Sequence, residues 1–450
     1  MGAKRVGWLL VLIGGAALLL AACADDADDA VEDDAVEEAD AAEDDDTDDD
    51  DDDPDAAEAD GDEADEADEA DEADGDEADE ADGDDPILIG GAIDQSNDMA
   101  PFDEPAWVAA EIAAERINED GGVNGREIEL TAIDTQLDPE RTQSAALDLI
   151  DEGADVLFVT CDFDWSVPAA QEALNEGLLT IAPCIGDPIF GPSGFEGDLG
   201  RLAFTFGNAS FAEGAALAEL AMDEGWEETI TVTDDAILYF QNVCRGFTER
   251  YEEHGGEIVL EESFTQGDGT VEQVTGSVAG GDSDAVLLCS FPPDLPSYLA
   301  QLRATGVDQP LLAPWSGDGD FWIDAVPDLS DYHYATFVSV FGDDPEDEVN
   351  ELIAAFEDRT GEPPATGGFV TGASAVQAIA EAVERAGTTD GEALADEFLA
   401  FDGFESVSGP ITFTEDVHIL TDRPFRIMEV QDGEYSVREL RTAESPPMPE

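Results

Sequence analysis

Lysine is almost missing from this chain of 450 residues; Lys4 is the one example. Without it there is no GxxxxGK phosphate loop, no Schiff-base lysine and no Ser-Lys nucleophilic pair. Histidine is scarce, with His254, His333 and His418 far apart, and no Cys-x-x-Cys occurs, which argues against a zinc site. No Gly-x-Ser-x-Gly elbow is present. Positive charge is rare altogether: 15 Lys and Arg stand against 114 Asp and Glu, for a formal net charge of −99. Such a field repels nucleic acid and anionic lipid headgroups, and it opposes the compact state unless salt screens it, which reads as the mark of a salty habitat. The expectation is a protein with no catalytic residues, no metal, no cofactor and no nucleic-acid partner.

What is present begins with a membrane address. Lys4 and Arg5 precede an apolar run from Val6, which ends at Leu20-Ala21-Ala22-Cys23. A basic start, a short apolar core and small residues before a cysteine resemble a bacterial lipobox, so residues 1–22 read as a lipoprotein signal peptide and Cys23 as the lipidated first residue. The run is 17 residues long, the lower edge of what crosses a bilayer, and an uncleaved anchor is the alternative. No later apolar stretch approaches ~20 residues. Both readings put the remainder outside the cytoplasm, tied to the outer face of the cytoplasmic membrane.

Residues 24–85 are nearly all Asp, Glu and Ala and hold 39 of the 114 acidic residues. With nothing to bury, such a segment does not offset its ordering entropy. Residues 23–85 are therefore expected to be a disordered acidic tether with a reach of roughly 40 to 50 Å, extended further by self-repulsion. Cation binding by its carboxylates is the alternative, without the spaced pattern of a calcium loop.

The body from Pro86 onward, with 75 acids against 13 arginines, is too long for one ordinary core, so two lobes are expected. Ile87–Ile93 is a continuously apolar run, as in a parallel strand buried on both faces. A helical stripe of Ala109, Ile112, Ala113 and Ile117 follows, closed by Gly121-Gly122. Strands at 128–133, 156–159 and 178–181 alternate with a helix capped by Asp138-Pro139 and another expected from Pro168 to Glu176. After a Gly/Pro-rich stretch at 186–207 the rhythm restarts: helix 212–224, strand 229–233, helix 241–254, strand 257–261, strand 285–288. Two consecutive doubly wound α/β units result, and in such sheets ligands bind beyond the C-terminal ends of strands.

The segment Ile87-Leu88-Ile89-Gly90, with Ile117-Asn118-Glu119-Asp120-Gly121-Gly122-Val123-Asn124-Gly125-Arg126 and Asp134-Thr135-Gln136-Leu137-Asp138-Pro139, resembles the branched-chain amino-acid-binding family of ABC-importer solute receptors. The resemblance covers essentially 86–440. It implies the type I periplasmic-binding fold: two Rossmann-like lobes with parallel sheets flanked by helices and a three-crossover hinge. By analogy, 86–204 and 338–412 form lobe 1, and 205–337 and 413–440 form lobe 2. The crossovers fall near Phe204, near Phe337 and at 411–423.

The resemblance also implies a ligand site. Its set is Gln95, Ser96, Asp162, Phe163, Asp164 and Trp165 after the first and third strands, with Cys184, Ile185 and Gly186 after the fourth. The second lobe adds Tyr239, Phe291, Trp315, Asp318 and Asp320. Family members offer a Ser or Thr hydroxyl to the ligand carboxylate after strand three; here the loop reads Cys161-Asp162-Phe163-Asp164-Trp165, with Ser166 as the nearest hydroxyl. Asp318, then Asp320, stands where the family keeps an acid for the ligand ammonium. Aromatic walls around buried carboxylates suit a cationic or zwitterionic solute.

Four cysteines remain beyond Cys23. Cys161 and Cys184 end successive strands, ~5 Å apart if those strands are adjacent. Cys244 opens a second-lobe helix and Cys289 ends a strand. Pairings Cys161–Cys184 and Cys244–Cys289 are expected, though three connectivities and buried free thiols remain open.

The functional expectation is a lipid-anchored receptor that captures a small polar, amino-acid-like or amide-like solute by hinge closure and delivers it to ABC permease subunits, acting as a monomer. A ligand sensor that signals to a membrane partner is the alternative.

Overall fold

The short apolar runs become parallel strands buried on both faces. The computed structural model describes residues 85–192 and 199–444, all of which belong to the second of two contact units, Asp76–Glu450. The signal segment, Cys23 and nearly all of the acidic tether lie outside the described residues. The first sheet holds β1 (Ile87–Ile93), β2 (Ile128–Asp134), β3 (Val156–Val159), β4 (Leu179–Ala182) and β5 (Ala203–Thr205). Their order is β2-β1-β3-β4-β5, parallel throughout, and the connecting helices are α1 (Ala100–Glu119), α2 (Pro139–Asp151) and α3 (Phe163–Asn175).

The chain then enters a second sheet through α4 (Ser210–Asp223), β6 (Glu228–Asp234), α5 (Leu238–Glu253), β7 (Glu257–Phe264), α6 (Val271–Gly280), β8 (Ala285–Cys289), α7 (Asp294–Thr305), β9 (Leu311–Ala313) and β10 (Tyr332–Thr336). It returns with α8 (Asp347–Thr360), α9 (Val370–Ala386), α10 (Gly391–Leu399) and a hairpin of β11 (Asp402–Ser406) and β12 (Gly409–Thr412). Helices α8 and α9 pack on α1, and α10 packs on β4, so these three cover the first sheet. The chain ends in β13 (Phe425–Gln431) and β14 (Glu434–Arg441). The second sheet runs β14-β13-β10-β9-β8-β6-β7, parallel from β10 to β7, with β13 antiparallel to both of its neighbours, β10 and the edge strand β14. Three passages thus join the sheets, at 206–209, 337–346 and 413–424.

Local physics explains most boundaries. Asp138 caps α2 by accepting the Arg141 N–H at 2.9 Å, with Pro139 in the first turn. Helix α3 departs from the sequence expectation: it starts at Phe163, five residues before Pro168, because Asp162 is extended and accepts the Asp164 N–H at 2.9 Å. A side-chain cap outweighs the N–H missing at Pro168. Residues 163–165 are therefore the first turn of a helix rather than loop. Close packing of α4 on α5 rests on two glycines: a Cβ on Gly214 would lie 2.1 Å from the Val243 carbonyl oxygen, and one on Gly246 would lie 2.6 Å from that of Phe211. This contact fixes where α4 and α5 present their first turns.

Candidate functional site

The segments that follow β3 and β4 meet those that follow β5, β6 and β9. Gly186, just beyond β4, lies flat against the Tyr239 ring, where a Cβ would stand 3.0 Å from two ring carbons. Its carbonyl accepts the N–H of Ser210, the first residue of α4. Asp164 on α3 accepts the Leu238 N–H at the start of α5 at 3.0 Å, and Asn242 on α5 donates to Asp187. Trp315, in a short 3-10 turn after β9, stands edge-on to Phe102 of α1 at 5.1 Å and to Phe337 at 4.9 Å. The two halves of the molecule are therefore in contact through aromatic and carboxylate side chains.

Several of these carboxyls are buried without a positive partner among the described residues. Glu213 is 2% exposed; its two oxygens accept the Tyr239 hydroxyl at 2.8 Å and the Trp315 N–H. Burial pushes its carboxyl up to about 8, against backbone and tyrosine hydrogen bonds that pull it down. Burial likewise raises Asp187 to about 7, and Asp162 rises well above the usual carboxylate range for the same reason, reinforced by the charge of Asp164. The Tyr239 hydroxyl is held well above its ordinary value by burial and by the Glu213 charge. A carboxyl desolvated in this way is neutral when alone and becomes a strong anion when a cation is brought beside it.

The sequence-derived residues divide. Asp162, Cys184, Ile185, Gly186, Tyr239, Phe291, Trp315 and Asp318 are buried, Phe163 and Trp165 half-buried, and Asp164 and Asp320 exposed. Gly186, Tyr239 and Trp315 converge around Glu213, and Phe291 backs them through Phe240 at 5.6 Å. Ser166 donates to the Phe163 carbonyl at 3.0 Å. Gln95 and Ser96 lie apart from this convergence, bound to Asp134 at the end of β2 by the Gln95 N–H at 3.0 Å and the Ser96 hydroxyl at 2.8 Å. Asp318 is occupied within the protein: it accepts the Thr336 hydroxyl at 2.6 Å, the Gly367 N–H at 2.6 Å and the Gly319 N–H at 2.7 Å. Burial raises it to about 6.

Glu213, Asp187 and Asn242 were not foreseen. Glu213 did leave a signal, since Ser210–Ala221 is buried all round and so reads as a core helix in which an acid is out of place. The cysteines are brought together in pairs, Cys161 with Cys184 (Cα–Cα 4.9 Å) and Cys244 with Cys289 (6.6 Å). Both pairs flank the convergence of loops. Among the described residues no group of His, Cys, Asp and Glu is placed to hold a metal, and no helix is long and apolar enough to cross a membrane.

Comparison with known proteins agrees with this arrangement. The family described as periplasmic binding protein matches residues 86–434. A leucine-, isoleucine-, valine-, threonine- and alanine-binding protein of Pseudomonas aeruginosa is 26% identical over 319 residues, 70% of this chain and 83% of the relative. A Leu/Ile/Val-binding protein homolog of Brucella abortus is 24% identical over 331 residues, 73% of this chain and 86% of the relative. Among solved structures, a branched-chain amino acid transporter substrate-binding protein from Streptococcus pneumoniae, in complex with isoleucine, superposes with a TM-score of 0.70 at 20% identity, covering 79% of this chain and 99% of its own. A solute-binding protein of an ABC transporter from R. palustris, in complex with benzoate, gives 0.67 at 20% identity over 80% and 97%. At that identity the superpositions speak to fold.

Proposed function

The chain belongs to the periplasmic binding protein family, and from that premise we propose that it is the extracytoplasmic solute receptor of an ABC importer, anchored by a lipid on Cys23. It is a binding protein rather than an enzyme. Its ligand is a small amino-acid-like or amide-like solute that carries a positive group. Residues 86–204 with 338–412, and 205–337 with 413–440, act as the two lobes, and closure over the ligand presents both to the permease. The receptor works as a monomer at the outer face of the cytoplasmic membrane, lifted from it by the acidic tether.

The observation that supports the ligand class is Glu213. A fully buried carboxyl held by Tyr239 and Trp315, raised further by the charge of Asp318 and without an arginine partner among the described residues, would gain most from a ligand cation. Gly186, Ile185, Tyr239, Phe291 and Trp315 form the walls, with Phe163, Trp165 and Cys184 at the rim. Asp164, Asp318 and Asp320 add negative potential, Asp162 stays neutral until a cation is brought beside it, and Gln95 and Ser96, bound to Asp134, stand outside the walls.

Thermal unfolding of the mature chain in molar salt tests this reading against amino acids, amides, polyamines, sugars and aromatic acids. A ligand at ~100 times its dissociation constant adds about 2.7 kcal/mol, a shift of several degrees or less at this size. Stabilisation by an amine-bearing solute supports the reading; stabilisation by sugars or aromatic acids alone would overturn the ligand class.

A further inference from the structure

Among the described residues Arg423 is the most deeply buried arginine, 1% exposed, and it has no carboxylate within ion-pair distance. Its Nε donates to the Asn208 side-chain oxygen, one terminal nitrogen to the Phe206 carbonyl and the other to the Ser408 hydroxyl, each at 2.7 Å. The plane of the group lies over the Phe337 ring, 5.0 Å from its centre.

The positions of these partners give the contact its meaning. Phe206 and Asn208 lie in the first passage between the sheets, and Phe337 opens the second. Ser408 sits in the turn of the β11–β12 hairpin that leads into the third passage, and Arg423 itself stands near the end of that passage. One planar side chain therefore touches every connection between the two sheets. An apolar residue would fill the volume without desolvating a charge, which is costly here: burial, reinforced by the charge of Arg426 and opposed by that of Asp422, lowers the Arg423 pKa to about 9. What an apolar residue lacks is a rigid fork of donors that fits several acceptors in one plane only.

We infer that Arg423 is a positioning residue of the hinge, whose guanidinium couples the three passages so that the lobes rotate together rather than one connection at a time. Rotation of one sheet against the other is absorbed by backbone torsions in the connections. Any rotation that moves Phe206 and Asn208 relative to Ser408 must break at least one of the three bonds while the others stay buried, so excursions from the observed arrangement are penalised. The consequence for binding is preorganisation: a narrower ensemble of empty receptor leaves less for the ligand to order. This inference rests on the two-lobe, hinge-closing reading proposed above.

The test is a distance distribution between fluorophores placed through non-cysteine chemistry at the exposed residues Glu129 on β2 and Glu257 on β7 of the full mature chain. Without added solute, Arg423→Gln is expected to turn one narrow distribution into a broad or two-peaked one. Arg423→Lys is expected to do the same, because an ammonium keeps the charge but not the fork. Asn208→Ala and Ser408→Ala each remove one bond and should broaden the distribution partly, which keeps the test decisive if the Arg423 variants fail to fold. A residue that only stabilised the fold would lower the unfolding temperature and leave these widths unchanged; unchanged widths in cooperatively folding variants overturn the inference. The same samples are then given leucine, lysine, glutamine and putrescine in turn. Failure of every probe to move the parent distribution counts against the receptor reading, whereas the solute-free widths decide the hinge inference separately.

Discussion

Tyr239 at the start of α5 donates its hydroxyl to the Glu213 carboxylate on α4 at 2.8 Å, and the backbone N–H of Trp315 donates to the other oxygen. The bond holds because α4 and α5 approach at two glycines, Gly214 and Gly246, so closely that their first turns share one space. Sequence composition, helix packing and the electrostatics of the site meet in this pair.

The Glu213 carboxyl makes stability depend on pH in a defined direction. Its pKa rises from 4.5 to about 8 through burial. A carboxyl that holds its proton more tightly when folded favours the native state at low pH, and that advantage is lost as pH climbs from about 4.5 to about 8. Glu213→Gln is therefore expected to stabilise the solute-free protein by about 4 kcal/mol at pH 8 and to change it little near pH 4. Unfolding temperatures of parent and variant at the two pH values check this; an equal difference at both would refute it. For an amine-bearing ligand the same variant should lose affinity at pH 8.

Asp344 and Arg426 form a two-point ion pair at 3.0 and 3.1 Å, with side chains 0% and 6% exposed, between the second passage and the start of β13. Asp344→Asn leaves a buried guanidinium without its counter-charge and is expected to destabilise by about 3 kcal/mol. The double variant Asp344→Leu with Arg426→Met should regain much of that loss. Denaturant midpoints of the three proteins decide it, and a double variant as weak as the single would show that the charge pair is not the cause.

The cysteine pairs close loops of 23 and 45 residues. Loop entropy predicts that replacing either pair with serine costs about 3 kcal/mol, slightly more for Cys244 and Cys289. Non-reducing mass mapping of the peptides, followed by thermal unfolding of each double variant, tests both parts. Free thiols in the mapping would remove the basis for the expected loss.

Gly186 faces the Tyr239 ring so closely that even a methyl group would press on it. Gly186→Ala places a Cβ 3.0 Å from two ring carbons, so the Tyr239 ring must give by a few tenths of an ångström, which strains its bond to Glu213. The expected outcome is a modest loss of stability, about 1 kcal/mol, with a larger loss of solute affinity. Calorimetric titration beside thermal unfolding separates the two; equal losses would mean the position matters for packing alone.

Much of the first half was legible because its signals are local. A strand buried on both faces, such as Val156–Val159, must be apolar at every position, and the Asp138-Pro139 cap announces α2 without reference to any distant residue. Helix α3 begins five residues before Pro168, the start its proline suggests, because the Asp162 side chain caps the chain ahead of it. The antiparallel pair β13 and β14 and the three returning helices α8, α9 and α10 were not read, since their amphipathic patterns do not say which sheet they cover.

The candidate site was legible where a strand end supplies the residue, as with Gly186, Tyr239 and Trp315. It was not legible where a residue reaches in from a helix, as Glu213 does, or where a predicted acid is consumed by the protein, as Asp318 is by Thr336, Gly319 and Gly367. By itself the sequence determined the alternating strands and helices, the excess of negative charge and the scarcity of cations, because periodicity and composition act locally or as sums. Tertiary structure alone decided which buried carboxyls, among the described residues, lack a positive partner and which arginine reaches all three passages between the sheets. Arg423 lies 215 residues from Asn208 and 15 from Ser408, and only the folding of three separate passages into one place brings those acceptors within reach of a single planar group.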